Sequence, residues 1–308
     1  MFPVRRAAAA LIAASSLLLG SACARSAAGG GDRAARAGAE AASAERPARI
    51  VSLAPATTAI LVEIGMADRL VAVDTWSRLP DSARDVPRLD MIRPDAELLL
   101  ALGPDVVFAS SMTKEGLGRD PFAPLSKSGV RVEYIPTSGT IRDIEEDVLR
   151  VAGAVGEPEK GEEIVRRMRR EIGEIRSICA AIPEDRKPIV VFEIAPAPSV
   201  YSFGSGVYLD EMLAAAGARN AFAKERGWLA TGAEAIVTAN PDVILTNVDY
   251  LDDPVAEILS RPAWSAVNAV KNGRVYRIDN ESSSQPAPAV SRALAEIARA
   301  CHPELFDE

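Results

Sequence analysis

The sequence predicts an α/β fold: two parallel-sheet lobes joined by one long rigid helix. Three observations carry this. Short β-branched runs alternate with helical stretches along the chain, the pattern of βαβ units. A single apolar stripe at helical spacing divides those runs into two groups. One segment also recurs in both groups at a constant offset of 137 residues, the mark of an internal duplication. The 308 residues suffice for two similar lobes.

The chain opens on an address. Arg5 and Arg6 precede an uncharged apolar run from Ala7 to Leu19. That run is short of the ~20 residues a membrane-spanning helix needs, so residues 1–22 read as an export signal. Gly20-Ser21-Ala22-Cys23 closes it with small residues before a cysteine. This resembles a bacterial lipobox and makes Cys23 the candidate lipidation site; ordinary secretion with cleavage after Ala22 or Ala24 is the alternative. Residues 23–46 are rich in Ala, Gly, Ser, Glu and Arg without an aromatic residue. Such a stretch cannot bury enough apolar surface to offset its chain entropy and reads as a tether.

The first lobe is expected over residues 47–157. Its strands fall at Ile50 to Leu53, Leu70 to Val73, Val106 to Phe108 and Arg131 to Ile135, with helices across Thr57 to Ile64 and Ala96 to Leu102. The linking helix follows over 158–183. Ile164, Met168, Ile172, Ile175, Ile178 and Ile182 form one helical stripe. Pro158 suits its first turn and Pro183 stops it. A helix from Glu159 to Ile182 would run about 36 Å at ~1.5 Å per residue. No Gly-rich hinge interrupts it, so closure of the lobes should be limited.

The second lobe, 184–308, has strand candidates at Ile189 to Ile194, Val243 to Leu245 and Val275 to Ile278. Here the repeat appears. Ala96 to Phe108 recurs as Ala233 to Leu245: a helix, a Gly-Pro or Asn-Pro break, an Asp, then an apolar strand. A glutamate, Glu97 or Glu234, stands near each helix start.

Composition then excludes function classes. Lys plus Arg number 35 against 43 Asp plus Glu, whereas phosphate binding runs on clustered positive charge, so nucleic acid is not an expected partner. The single histidine, His302, disfavours Ser-His, Cys-His and His-rich metal sites. Haem held by an axial histidine is disfavoured too, while Tyr or Met ligation stays open. Gly204-Ser205-Gly206 lacks the third glycine of a nucleotide-binding turn, and Tyr201-Ser202-Phe203-Gly204 lacks the first glycine of a nucleophile elbow. No catalytic residue or metal site is expected; an exported enzyme is the minor alternative. Cys179 and Cys301 lie in apolar helical stretches and read as buried thiols, although export would permit a disulfide.

Ligands of parallel α/β sheets sit outside the C-terminal strand ends. In the first lobe this selects Ala54-Pro55-Ala56, Thr75-Trp76-Ser77, Ser110-Ser111-Met112 and Thr137-Ser138. In the second it selects Pro196 to Val200, Thr246-Asn247 and Asn280 to Gln285. Aromatic residues are only 5% of the chain, so Trp76 and Trp228 in expected loops stand out as flat apolar faces. Arg78, Arg88 and Arg93 are nearby in sequence, and an arginine facing the cleft would suit an anionic ligand.

Several motifs, in order, resemble a known family. They are Arg49 to Leu61 with Gly65, Pro94-Asp95-Ala96-Glu97 to Pro104-Asp105, and Gly204-Ser205-Gly206 to Leu213 with Gly217 to Asn220. Arg261-Pro262-Ala263-Trp264, Asn272 to Tyr276 and His302-Pro303-Glu304 complete the series. The chain from Arg49 to Phe306 is similar to the iron-chelate and cobalamin-binding proteins of ABC importers, which have the class III periplasmic-binding-protein fold. The resemblance implies a monomeric, extracytoplasmic receptor without a resident cofactor, lipid-anchored or periplasmic. It would capture an iron-siderophore or cobalamin-type metal chelate between the lobes; a haem receptor of the same fold is the alternative. Delivery would go to a permease dimer with its ATPase subunits, with Glu97 and Glu234 docking on permease arginines. Two acids at pseudo-symmetric positions suit two equivalent basic pockets. The candidate ligand-binding residues are Pro55, Trp76, Met91, Arg93, Met112, Trp228 and Asn280. Cobalamin-binding relatives have an aromatic residue at the position of Trp76, a Trp at that of Trp228, and another Trp where Met91 stands.

Overall fold

The computed structural model describes residues 46–116, 118–197 and 200–306. The export signal, Cys23 and nearly all of the tether lie outside the described residues.

The first sheet contains β1 (Ile50–Leu53), β2 (Leu70–Asp74), β3 (Arg88–Leu89), β4 (Val106–Ser110) and β5 (Arg131–Ile135). They lie in the order β3-β2-β1-β4-β5, all parallel. β1 is buried along its whole length and β4 along nearly all of it. Strands covered by helices on both faces need such near-continuous apolar runs.

The second lobe contributes β6 (Ile189–Glu193), β7 (Val200–Phe203), β8 (Arg219–Asn220), β9 (Trp228–Thr231), β10 (Val243–Thr246) and β11 (Val275–Arg277). Its parallel sheet has the order β11-β10-β6-β8. Taken from the other edge, β8-β6-β10-β11 repeats β2-β1-β4-β5 of the first lobe, so the duplication extends to topology. β7 and β9 pair separately as an antiparallel ribbon.

β3, β7, β8 and β9 fall outside the strands expected from sequence. β3 and β8 are two residues long and carry Arg88, Arg219 and Asn220, too short and polar to register as β-branched runs. β7 and β9 have exposed positions at Tyr201 and Trp228, so neither is the apolar run of a buried strand.

The long helix spans Pro158–Cys179, with the proline in its first turn. It stops short of Ile182 because Pro183 disfavours helical backbone in the residue before it; the Ile182 N–H instead closes a turn on the Cys179 carbonyl at 3.2 Å. At ~1.5 Å per residue the helix is about 33 Å long. Ile164, Met168, Ile172 and Ile175 are buried along its stripe, but the expected Ile178 is exposed and Cys179 takes the buried position in the last turn. It packs on the Ile141–Ala154 helix of the first lobe and on the Tyr208–Ala215 and Val290–Cys301 helices of the second. Gly161 permits the first of these contacts, since a Cβ there would stand 2.5 Å from Ala152 Cβ.

One apolar core therefore runs through both lobes, from Ile60 and Val148 through Met168 to Leu213 and Leu294. The opposite faces of the two sheets form separate clusters, around Val51, Val107 and Phe122 and around Val191, Ile244 and Trp264. Cys179 and Cys301 are free, buried thiols of the shared core. Burial pushes both upward in pKa, Cys301 to about 12.

Two polar contacts also join the lobes. The Ile141 N–H, at the start of a first-lobe helix, donates to Glu211 Oε2 of the second lobe at 2.9 Å. Arg78 and Asp249 form an ion pair of 2.9 Å.

Candidate functional site

The first lobe presents the C-terminal ends of β1, β4 and β5 to the second, and a cavity of about 230 Å³ lies there. Pro55 and Thr57, just after β1, form part of its wall, with Ile60 one turn on. Ser110 and Met112 come from the end of β4, and Ile135 to Ser138 from the end of β5. Met91 closes another side. The second lobe supplies Ser284, Gln285 and Pro286, just after the short Asn280–Ser283 helix. The strand-end rule thus locates most of the wall, and it does so from both lobes.

Thr57, Ile135, Pro136 and Pro286 border the segments that rule selects, whereas Ile60, Met91 and Asp147 come from elsewhere. Asp147 projects from the middle of the Ile141–Ala154 helix and is buried. Its Oδ2 accepts the Ser138 hydroxyl at 2.6 Å, and Arg150 Nε lies 3.9 Å from Oδ1. Burial pushes the Asp147 carboxyl above the usual carboxylate range, against the opposing pulls of Ser138 and Arg150. The sequence held a signal, because Asp147 sits on the stripe of Ile144 and Val151, three residues after one and four before the other. Thr57 Oγ1 is buried without a hydrogen-bond partner among the described residues.

Ser138 is held in place by the turn that follows it. Thr140 and Asp143 form a capping box, and the Gly139 N–H also donates to Asp143 Oδ2 at 2.9 Å. A cap of this kind is worth about 1 kcal/mol. Glu211 caps the same helix from the other lobe, so the Ser138–Asp147 pair rests on a junction that both lobes build.

Among the expected ligand residues, Pro55, Met91 and Met112 line the cavity. Trp76, Arg93, Trp228 and Asn280 are not part of its wall. Trp76 is 71% exposed on a loop organised by Asp74, which is fully buried. Asp74 Oδ1 accepts the Trp76 and Ser77 N–H groups at 2.8 and 2.9 Å, and Oδ2 accepts the Ser77 hydroxyl. The Ser77 hydroxyl also meets Thr58 Oγ1 at 2.7 Å, and Thr58 in turn donates to Ser52. A solvent-exposed indole on so firmly held a loop has no packing role to explain it.

Trp228 is 44% exposed and stands edge-on to Phe203 and Tyr208, with ring centroids 6.0 and 6.4 Å away. The Tyr208 hydroxyl donates to the Ser283 carbonyl at 2.7 Å, next to the wall residues Ser284 and Gln285. Asn280 donates to the Asn247 carbonyl at 2.7 Å and accepts the Ser284 hydroxyl at 3.1 Å. Asn280 thus holds a wall residue in place.

Two of the three neighbouring arginines have partners. Arg78 pairs with Asp249, and Arg88 Nη1 donates to the Ser77 carbonyl at 2.6 Å. Arg93 is exposed and forms no ion pair among the described residues. Glu97 and Glu234 are both exposed, each the second residue of its helix, Ala96–Ala101 and Ala233–Ala239. Neither forms an ion pair among the described residues.

Residues 50–282 match the model of the family described as periplasmic binding protein. A Bacillus subtilis protein, the uncharacterized ABC transporter substrate-binding lipoprotein YvrC, is 30% identical over 266 residues, covering 86% of this chain and 83% of its own. The vitamin B12-binding protein of Vibrio parahaemolyticus is 24% identical over 251 residues, covering 81% and 87%. The solved structure of the periplasmic heme-binding protein RhuT from Roseiflexus sp. RS-1 superposes with a TM-score of 0.71 at 25% identity, covering 83% of this chain and 98% of that one.

Proposed function

The chain belongs to the periplasmic binding protein family, and on that premise we propose that it captures a metal chelate between its lobes for an ABC importer. It is a binding protein, not an enzyme, and works outside the cytoplasm. The ligand class we favour is an iron-siderophore or cobalamin-type chelate. One observation carries this: the cavity lies at the strand ends of the first lobe and is closed by second-lobe residues, with an apolar wall and a few convergent polar groups. Sites for rigid organic ligands have this character.

In this reading Pro55, Met91 and Met112 contact the ligand, and Trp76 and Trp228 offer flat faces toward its outer parts. Asn280 shapes the wall through Ser284, and Arg93 stands at the rim. Glu97 and Glu234 meet the permease dimer, while Cys23 carries the lipid anchor. The shared core and the long helix keep closure small, so recognition by the permease rests on docking more than on a large domain motion. A haem receptor is the second reading, supported by two thioethers on the wall, Met91 and Met112.

The test is the absorption spectrum of the protein purified from cells grown with each chelate class, followed by tryptophan-fluorescence titration. Ferric siderophores, corrinoids and haem differ in their visible bands. Saturable quenching by one class without chemical turnover is the expected result. The absence of saturable binding by all three would refute the reading.

A further inference from the structure

Among the described residues the cavity wall carries one ionisable side chain, and it is an acid. We propose that Asp147 makes this cavity selective for chelates whose enclosed face bears no negative group, accepting hydrogen bonds from ligand donors and turning away carboxylate-bearing forms. The inference rests on the reading of the chain as a chelate receptor and narrows the ligand within it.

The argument starts from charge. Among the described residues, no Lys, Arg or His lines the cavity. Arg150 approaches Asp147 only to 3.9 Å and is itself no part of the wall. Of the cations nearest the cleft, Arg93 is unpaired among the described residues but stands at the rim and not on the wall, and the others are held. Arg78 is paired with Asp249 and Arg88 with the Ser77 carbonyl. Arg261, in the second lobe, is locked to Glu193 and Glu257. A ligand carboxylate enclosed here would meet a like charge with no cation on the wall to offset it, and like charges in a desolvated site are strongly unfavourable.

Hydrogen-bonding capacity points the same way. A carboxylate offers about four lone-pair sites, and Ser138 occupies one on Oδ2. The remaining acceptors call for donors, which amide- and ammonium-bearing chelates possess and carboxylates lack. Thr57 Oγ1 adds to the same wall a buried polar atom that has no partner among the described residues. Within the protein, Ser138 is the one hydrogen-bond donor Asp147 finds among the described residues, so most of its acceptor capacity is left for a ligand.

The experiment compares matched pairs in which charge is the main variable. They are cyanocobalamin and its monocarboxylic acid, ferrioxamine B and its N-succinyl derivative, and haemin dimethyl ester and haemin. Dissociation constants are measured by tryptophan quenching for the wild-type protein and for Asp147→Asn. In whichever scaffold binds, the form without the carboxylate should bind at least about tenfold more tightly, a difference Asp147→Asn reduces to within about threefold. Equal or tighter binding of the carboxylate form overturns the inference and leaves the receptor reading intact. The wild-type ranking is decisive even if Asp147→Asn does not fold; an unchanged ranking in a folded Asp147→Asn also overturns it. Failure of all three scaffolds to bind the wild-type protein overturns the receptor reading, and the inference with it.

Discussion

Asp105 and Asp242 make the same reciprocal pair of hydrogen bonds, one in each lobe. The Asp105 carboxylate accepts the Arg49 N–H at 2.9 Å while its own N–H donates to the Arg49 carbonyl at 2.9 Å. Asp242 does the same with Ile189, at 2.9 and 2.8 Å. Each aspartate fastens the chain as it enters the central strand of its sheet, β1 or β6. The Pro-Asp of the sequence repeat is thus a structural clamp. The clamps are equivalent, and the helix before each carries its glutamate at the same position, the second residue.

That equivalence gives the first prediction. Glu97→Ala combined with Glu234→Ala should leave chelate affinity within about twofold, since neither side chain touches the cavity, while ATP-driven uptake falls by more than about tenfold. Each single variant should show an intermediate loss. Uptake into vesicles reconstituted with the permease, set beside binding titrations, separates the two effects. Normal uptake by the double variant would remove both residues from the docking surface.

A second prediction concerns the ion pair between the lobes. Arg78 and Asp249 are both partly exposed, so the pair is worth at most about 1 kcal/mol. Arg78→Ala or Asp249→Ala should therefore change the melting temperature little. A contact that spans the cleft should show instead in release, speeding ligand dissociation by up to about fivefold, and less so at high salt. Stopped-flow dissociation at two ionic strengths tests this, and the swapped pair Arg78→Asp with Asp249→Arg should restore the slower rate.

The parallel strands and the long helix were legible because their signals are local. β-branched runs mark β1, β4, β6 and β10, and the stripe of Ile164, Met168, Ile172 and Ile175 marks the helix. The strand-end rule then found Pro55, Met112 and Ser138, because a parallel sheet sends all its carboxyl ends the same way. What stayed hidden depends on convergence. Asp147 has the spacing of the Ile144 and Val151 stripe, but it lies among Asp143, Glu145 and Glu146, so that signal is masked by acids that read as a solvated face. The arginines near Trp76 gave no sign of which would be occupied, since Asp249 lies 171 residues from Arg78. Trp76 stood out through its place after β2 and the rarity of aromatic residues; the Asp74 network that fixes its loop is visible only in three dimensions.

The Arg261-Pro262-Ala263-Trp264 motif, which contributes to the family resemblance, has a structural explanation and a third prediction. Arg261 makes two hydrogen bonds to the fully buried Glu193, at 2.7 and 3.0 Å, and its guanidinium lies 4.3 Å from the Trp264 ring centroid. Burial pushes the Glu193 carboxyl upward and Arg261 pulls it back. Removing one partner of a buried pair strands the other charge, at a cost of about 3–5 kcal/mol. Arg261→Ala should therefore destabilise the protein by about that amount in urea unfolding. Adding Glu193→Gln should recover part of the loss, because the stranded charge is gone. Equal stability of the single and double variants would show that cavity formation at Trp264, not charge, sets the cost.

The last prediction follows from the direction of the Asp147 shift. Its carboxyl is raised by burial in the fold, so the unfolded chain gives up this proton at lower pH than the folded chain does. As pH rises through that interval, unfolding releases a proton and becomes more favourable. The contribution of Asp147 to stability is thus fullest below the ordinary carboxylate range and is lost as pH rises through the folded value. Asp147→Asn cannot ionise and is spared this loss. Thermal unfolding from about pH 3 to about pH 8 should show the variant gaining on the wild-type protein as pH increases. A chelate whose donors face Asp147 favours the ionised form, so saturating ligand should shift the interval downward and shrink the gap between the two proteins. A gap that is constant with pH would mean that Asp147 titrates as an ordinary surface acid.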